Sequence, residues 1–254
     1  MGSATVLTGD ESVRELMKQH TRRIALDLEC VRSNLARIRG ELAAAPRPDG
    51  GAPPIIVVVT KYLSASDSGR LRAAGIGPLG ENRAGELAGK VELDADRAGW
   101  HFIGHLQRNK IGQIVPRVGL LHSLDSRRLA RELGRWLATR DRSLFSCLVQ
   151  VNVAGEQTKG GLDPVSAAEE IPTWIAEFPH LEIRGLMAMA PLVEAEACRP
   201  IFRQLRELRD RLRDRLPVEA GERFVELSMG MSNDFEVAVE EGATEVRIGS
   251  ALFN

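Results

Sequence analysis

Cysteine is scarce in this 254-residue chain: Cys30, Cys147 and Cys198 are widely separated and odd in number. They support neither a disulfide framework nor a Cys-x-x-Cys metal knuckle, and reduced, buried thiols are expected. Aromatic residues make up only 4%, and tyrosine occurs once, at Tyr62, so any chemistry that needs a tyrosine base has a single candidate. Charge of one sign is also lacking. The formal net charge is -1 with 27% charged residues, which favours neither nucleic acid nor an acidic membrane surface as a partner. No apolar run approaches a bilayer span, and the start MGSATVLTGDESV lacks the basic head and apolar stretch of a signal peptide. A cytoplasmic protein is expected. Val6 stands where a myristoylation motif beginning at Gly2 wants Ser or Thr, so that anchor is set aside. Residues 1–10 read as a disordered N-terminus or an expression remnant.

Residues 11–45 are rich in Glu, Arg, Leu and Ala, with apolar positions at helical spacing through Ile24, Leu28, Val31, Leu35 and Ile38. A helical prelude is predicted there. The loop RPDGGAPP ends it, and IIVVVT follows as a β-branched run suited to a strand buried on both faces. From this point short apolar runs alternate with amphipathic stretches: IIVVVT, IGPLG, WHFIG, GLLHS, LFSCLVQVN, LEIRGLMAMA, RFVELS and TEVRIG. About eight strands in alternation with helices, in a chain of this length, predict an α/β fold, a single (β/α)8 TIM barrel with an N-terminal helical extension. An open doubly wound sheet is the alternative, but the first strand runs into KYLSAS with no Gly-x-Gly-x-x-Gly turn. Helix starts are marked by Asp125 or Ser126 in LDSRRLARELG and by Ser232, Asn233 and Asp234 in SNDFEVAVEEG. RPIFRQLRELRDRLRDRL carries seven arginines against three acidic residues, yet Ile201, Leu205, Leu208, Leu212 and Leu216 form one apolar stripe. That stripe makes it an outer barrel helix with a solvated charged face, and nucleic acid is rejected as a partner.

In such barrels functional groups collect at the carboxyl ends of the strands, and phosphate is often held after strands seven and eight. Those strands end as ELSMGMSND and EVRIGSALF. Gly249 lets the backbone approach an anion, opening helical turns leave amides unpaired, and Ser232 and Ser250 add hydroxyl donors, so a phosphate fits. Lys61 follows the first strand directly, and closure of a barrel sets strand one beside strand eight. It is then either a Schiff-base lysine, a phosphate counterion or an ordinary surface lysine. Arg247 shares the parity of Gly249 and points toward the barrel mouth, or else pairs with Glu245 or Glu226. Against a pyridine nitrogen its permanently protonated guanidinium would disfavour protonation of that nitrogen and weaken the ring as an electron sink. His101 and His105 are four apart, but they straddle a strand end and a Gly turn with no evident third ligand, so no metal is expected. His101 is a barrel-mouth residue or a structural one. Asn82 and Asn152 end strand candidates and either touch a ligand or cap a helix, while Met187, Met189, Met229 and Met231 line a pocket or pack the core.

Taken together and in order, VTKY, GENR, WHFIGHLQRNK, HSLDS, VQVN, KGGL, GLMAMAP, LSMGMSND and VRIGSALF resemble the pyridoxal phosphate homeostasis protein family, single-domain relatives of the alanine racemase barrel. The resemblance runs from about Leu16 to the C-terminus, with 11–254 as the barrel. It implies pyridoxal 5'-phosphate as cofactor, Lys61 as the cofactor lysine, Ser232, Asn233, Gly249 and Ser250 as the phosphate cradle, and Arg247 facing the pyridine nitrogen. It places Asn82, His101 and Met231 around the ring. It further implies a protein that binds, buffers and hands over the cofactor, with apo forms of cofactor-dependent enzymes as recipients and no catalytic turnover; a monomer is expected. The chain departs from the family where Tyr62, Leu63 and Ser64 follow the lysine in place of Thr-Lys-Pro, and where Leu79 replaces a phenylalanine.

The main rival is an amino-acid racemase or decarboxylase on the same fold and cofactor. A racemase needs bases on both faces of the substrate, and Tyr62 is expected to point away from Lys61 if the strand continues. A Schiff-base aldolase or sugar-phosphate isomerase is a further reading, but no carboxylate partner for Lys61 is evident in the sequence.

Overall fold

The computed structural model describes residues 23–253 apart from 49, 93, 95, 141–143, 157 and 158. Expectations for residues 1–22 lie outside the described residues. Eight parallel strands close into a barrel: β1 (Ile55–Val59), β2 (Leu79–Glu81), β3 (Trp100–Phe102), β4 (Leu120–Leu124), β5 (Phe145–Gln150), β6 (Leu181–Met187), β7 (Glu226–Met231) and β8 (Glu245–Ile248). Each falls within or overlaps a predicted run. Closure of β8 onto β1, in the register Val57↔Arg247 and Val58↔Ile248, excludes the open doubly wound sheet.

The strand sequences explain the two layers. In β3, Trp100 and Phe102 join the large cluster between barrel wall and helices, while His101 between them turns to the interior, as the period of a strand requires. Ile56, Val58, Leu121, Leu227, Val246 and Ile248 are buried in the same outer layer. Inside, Leu120, Leu148 and Met187 form a small separate cluster with Met189 against it. Met229 belongs to the outer layer, so only part of the methionine set faces inward.

The helices are α1 (Leu28–Ala44), α2 (Ala65–Ala73), α3 (Ala84–Val91), α4 (Ile111–Ile114), α5 (Arg127–Ala138), α6 (Pro164–Glu177), α7 (Ala195–Arg215), α8 (Val218–Arg223), α9 (Phe235–Glu240) and α10 (Ser250–Phe253). Among the described residues the helix of the prelude begins at Leu28, where Asp27 Oδ1 accepts the amides of Glu29 (3.0 Å) and Cys30 (3.1 Å) and caps it. Ile24, counted in the helical stripe, instead lies outside the helix and donates its amide to the Tyr62 carbonyl at 3.0 Å. Ser126, not Asp125, caps α5. The arginines of α7 are largely engaged within the molecule: Arg199, Arg203 and Arg206 all pair with the buried carboxylate of Glu241, while Leu205, Leu208 and Leu212 face the core. Among the described residues no helix is long and apolar enough to cross a membrane.

Candidate functional site at the carboxyl end of the barrel

Lys61 stands one residue beyond the buried Thr60, where β1 has ended and the chain turns. Two groups behind the wall fix that turn. Lys90, on α3, is buried; its ammonium donates to the Thr60 carbonyl at 2.8 Å and pairs with Glu81. The other carboxylate oxygen of Glu81 accepts the amides of Asn82 (2.7 Å) and Arg83 (3.0 Å). One buried ion pair thus holds the backbone from which both Lys61 and Asn82 project. Lys61 itself is half-buried, with its ammonium 4.7 Å from the centroid of the Tyr62 ring. The expectation that Tyr62 points away is corrected: the strand stops at Val59, so strand alternation no longer applies, and the phenol ring packs on the lysine.

Across the seam between β1 and β8, Gly249 borders the end of β1; a Cβ there would lie 3.4 Å from Val59 Cβ. The amides of Gly249 and Ala251 both point at Ser232 Oγ, at 3.3 and 3.4 Å. Asp234 accepts the Met231 amide at 2.6 Å and precedes α9, without a side-chain bond to that helix. Ser232 is therefore not the cap of α9; its hydroxyl faces β8. The two amides are taken up by Ser232 Oγ, so the hydroxyl's own proton is the donor this group offers at the barrel mouth, where Lys61 also stands. Ser250 and Asn233 are exposed at its edge, as is Asn82 on the β2 side.

Arg247 lies inside the barrel, 5% exposed. It donates to Ser228 Oγ at 2.6 Å and to the Ala188 carbonyl at 2.9 Å, and so uses two of its five N–H groups. The pairing considered with Glu226 is not formed, since Glu226 pairs with Arg184, and Arg247 has no direct ion pair with Glu245. Burial pulls the guanidinium down to about 10, so it remains charged at neutral pH. Met231 is half-buried and lies opposite Arg247 in the β7–β8 register.

Beneath this level His101 Nδ1 lies 3.0 Å from His122 Nε2, and His122 Nδ1 lies 2.8 Å from Ser228 Oγ. Glu245 Oε2, without a hydrogen-bond partner, is 3.4 Å from His122 Nε2 and 3.7 Å from His101 Nδ1. Burial holds His101 down at about 4 and His122 well below the usual imidazole range, with the neighbouring Arg184 adding to the first and His101 and Arg247 to the second. Burial, reinforced by the Glu226 carboxylate, pushes Glu245 up to about 8. The ligand-type atoms of His101, His122 and Glu245 fall within 4.8 Å of one another, a convergence that the His101/His105 spacing did not reveal. His105 is elsewhere: its ring, mostly exposed, sits 2.8 Å from Asp125 on the surface. Asn152 organises its own loop, bonding Glu156 and Lys159 backbone groups.

The site thus gathers Lys61, Ser232, Gly249, Arg247, Met231 and His101 around the mouth and upper interior, with Asn82, Asn233 and Ser250 at the rim. Sequence reasoning passed over His122, Ser228, Glu245, Glu81 and Lys90 as functional positions. Their signal was present as polar residues inside otherwise apolar strands at inward parity, in LLHS and VELS, and as a charged pair on neighbouring elements.

A closed parallel barrel with a lysine after β1 and an amide-lined cradle after β7 and β8 is a barrel of the alanine racemase type: the family described as alanine racemase, N-terminal domain, matches residues 26–254. Within that class, the chain belongs to the pyridoxal phosphate homeostasis protein family. It is 46% identical over 182 residues to the pyridoxal phosphate homeostasis protein of Aquifex aeolicus, covering 70% of this chain and 77% of that protein. It is 36% identical over 233 residues to the protein of that name from Pseudomonas aeruginosa, covering 89% and 96%. It is also similar to the structure of PipY from Synechococcus elongatus with PLP bound, with a TM-score of 0.74, 34% identity, and coverage of 88% of this chain and 100% of that one.

Proposed function

We propose that this protein binds pyridoxal 5'-phosphate at the carboxyl end of its barrel, held as a Schiff base on Lys61, and that it buffers or delivers the cofactor without robust catalytic turnover. The observation that carries the reading is the convergence of the Gly249 and Ala251 amides on Ser232 Oγ, across the β1–β8 seam from Lys61. Ser232 Oγ, which accepts both amides, keeps its own O–H to donate to a phosphate oxygen. Lys61 Nζ supplies the amine that condenses with the cofactor aldehyde, releasing one water. Arg247, charged and inward, would face the ring nitrogen as a donor and disfavour its protonation; His101, Met231 and Asn82 would line the ring, and Asn233 and Ser250 would complete the cradle. When bound, the cofactor supplies an aldehyde and a conjugated ring. The words pyridoxal phosphate homeostasis in the names of the relatives fit a carrier that serves vitamin B6 homeostasis.

Tyr62 shares a turn with Lys61 and packs against its ammonium, so lysine and phenol would approach a ligand from the same side. A two-base racemase needs them on opposite sides. The recipients are apo forms of enzymes that use this cofactor, the protein acts as a monomer in the cytoplasm, and residues 11–254 form its one cofactor-binding domain.

Purified protein mixed with the cofactor is expected to show a visible absorption band, and borohydride reduction to leave a pyridoxyl mass on the peptide containing Lys61. Loss of both in Lys61→Ala supports the reading; a wild-type protein with neither overturns it. Robust turnover of alanine or ornithine above the Lys61→Ala control would instead establish an enzyme.

A further inference from the structure

Barrels of this type ordinarily fill their interior with branched apolar side chains. Here Arg247, Ser228, His122, His101 and Glu245, from four strands, occupy the interior and are all less than a tenth exposed. So many buried polar groups at one level call for a role beyond packing.

Proton counting gives the chain of contacts a direction. Arg247 can only donate, so Ser228 Oγ accepts from it at 2.6 Å. With the hydroxyl proton of Ser228 directed at His122 Nδ1, 2.8 Å away, that nitrogen is the acceptor. A neutral imidazole whose Nδ1 accepts carries its proton on Nε2, and burial keeps this ring neutral. That N–H faces His101 Nδ1 at 3.0 Å and Glu245 Oε2 at 3.4 Å. In that tautomer His122 Nε2 carries its hydrogen toward His101 Nδ1, with the unpartnered Glu245 Oε2 3.4 Å away as a second acceptor within reach.

We propose that Ser228, His122, His101 and Glu245 form one polarised hydrogen-bond chain that aims the Arg247 guanidinium at the cofactor ring nitrogen, with Glu245 as the end that gains and loses a proton. The proposal rests on the cofactor reading above. Ser228, His122 and Glu245 are positioning residues acting through Arg247. The groups facing Glu245 are His101 on β3, His122 on β4, Arg184 on β6, Glu226 on β7 and Arg247 on its own strand, whereas its register partner on β1 is the apolar Ile55. Glu226 is paired to Arg184, so the acceptor strength of Glu245 is read mainly by the two imidazoles. When Glu245 loses its proton, its oxygen becomes a strong acceptor for the His122 N–H; the imidazole becomes a better acceptor for Ser228, and Ser228 for Arg247.

Nitrogen NMR of the imidazoles in the full chain without cofactor tests the chain independently of the ligand. His122 is expected to show an acceptor-type Nδ1 and a protonated Nε2, with a step in its shifts centred near pH 8 that vanishes in Glu245→Gln. In protein loaded with pyridoxal 5'-phosphate, the visible band should shift through the same step. Ser228→Ala should keep the His122 step but detach the band from it, and weaken cofactor affinity about tenfold as a hydrogen bond to a charged group is lost. A proton on His122 Nδ1, the same step in Glu245→Gln, or a band in Ser228→Ala that still follows His122 would each overturn the proposal. A wild-type protein with no visible band overturns the cofactor reading, while the tautomer result still decides whether the chain exists.

Discussion

Lys90 and Glu81 form a buried ion pair behind the barrel wall, and its two ends hold the Thr60 carbonyl and the Asn82 and Arg83 amides. Neither side chain reaches the barrel mouth; both set the backbone that does. Removing the cation alone leaves a carboxylate in a site without solvent, which typically costs about 3–5 kcal/mol, whereas neutralising both partners costs much less. Lys90→Met is expected to lower the urea midpoint sharply, and Glu81→Gln/Lys90→Met to recover most of the loss. If the two single substitutions prove additive in the double variant, the pair is not the coupled unit described.

The cradle makes a separate claim about affinity. In the proposed cradle Ser232 and Ser250 would offer hydroxyl donors to a phosphate, and a hydrogen bond to a charged group is worth about 1.5–3 kcal/mol. Ser232→Ala with Ser250→Ala is expected to weaken pyridoxal 5'-phosphate binding at least about tenfold in a spectroscopic titration. Folding stability should change little for the exposed Ser250. Unchanged affinity would place the phosphate elsewhere.

Gly104 ties the β3 loop to the β2 loop. A Cβ at that position would fall 2.1 Å from the Asn82 carbonyl oxygen, a backbone atom that can move only with its loop. Gly104→Ala is expected to lower both the thermal midpoint and cofactor affinity. Gly85→Ala, in α3 with nothing within 4 Å of the added carbon, should stabilise by about 0.5–1 kcal/mol, as helical glycines generally do. Equal effects at the two glycines would remove the argument from close approach.

The barrel was legible because its strands, buried on both faces, read as short apolar runs that survive without tertiary information: each of the eight predicted runs contains or overlaps a strand. The placement of Lys61, Gly249 and Ser232 at strand ends was legible for a related reason, since strand ends in a closed barrel have a known order around the mouth. What failed was local backbone that depends on a partner. Ile24 leaves the helical stripe because Tyr62 offers its carbonyl, and Tyr62 turns toward Lys61 because β1 ends two residues earlier than the β-branched run and its lysine imply. The interior chain was hidden for another reason. His122, Ser228 and Glu245 are 106 and 17 residues apart along the sequence, and only closure of the barrel brings β4, β7 and β8 together.

The same interior makes stability depend on pH in a direction that can be worked out. Glu245 is raised in the folded protein to about 8 from the usual 4.5, so its contribution is full below pH 4.5 and is lost as pH rises toward 8. His101, depressed to about 4 from 6.5, and His122, depressed further, act oppositely: their contribution is present above pH 6.5 and is lost as pH falls. Between pH 4.5 and 6.5 the opposing slopes offset one another, and two imidazoles outweigh one carboxyl. Above pH 6.5 the imidazole slopes vanish and the Glu245 slope remains, about 1.4 kcal/mol per pH unit, or roughly 2 kcal/mol by pH 8. Glu226, raised by burial as well, falls in the same sense and is common to both proteins compared. Chemical denaturation of wild type and Glu245→Gln from pH 5 to 9 should therefore give a wild-type maximum near pH 6.5 and a decline that the glutamine largely removes. A wild-type stability that rises from pH 6.5 to 8, or a decline of equal size in Glu245→Gln, would mean that Glu245 is already ionised in the folded barrel, and that the interior chain ends on a carboxylate instead of a neutral acid.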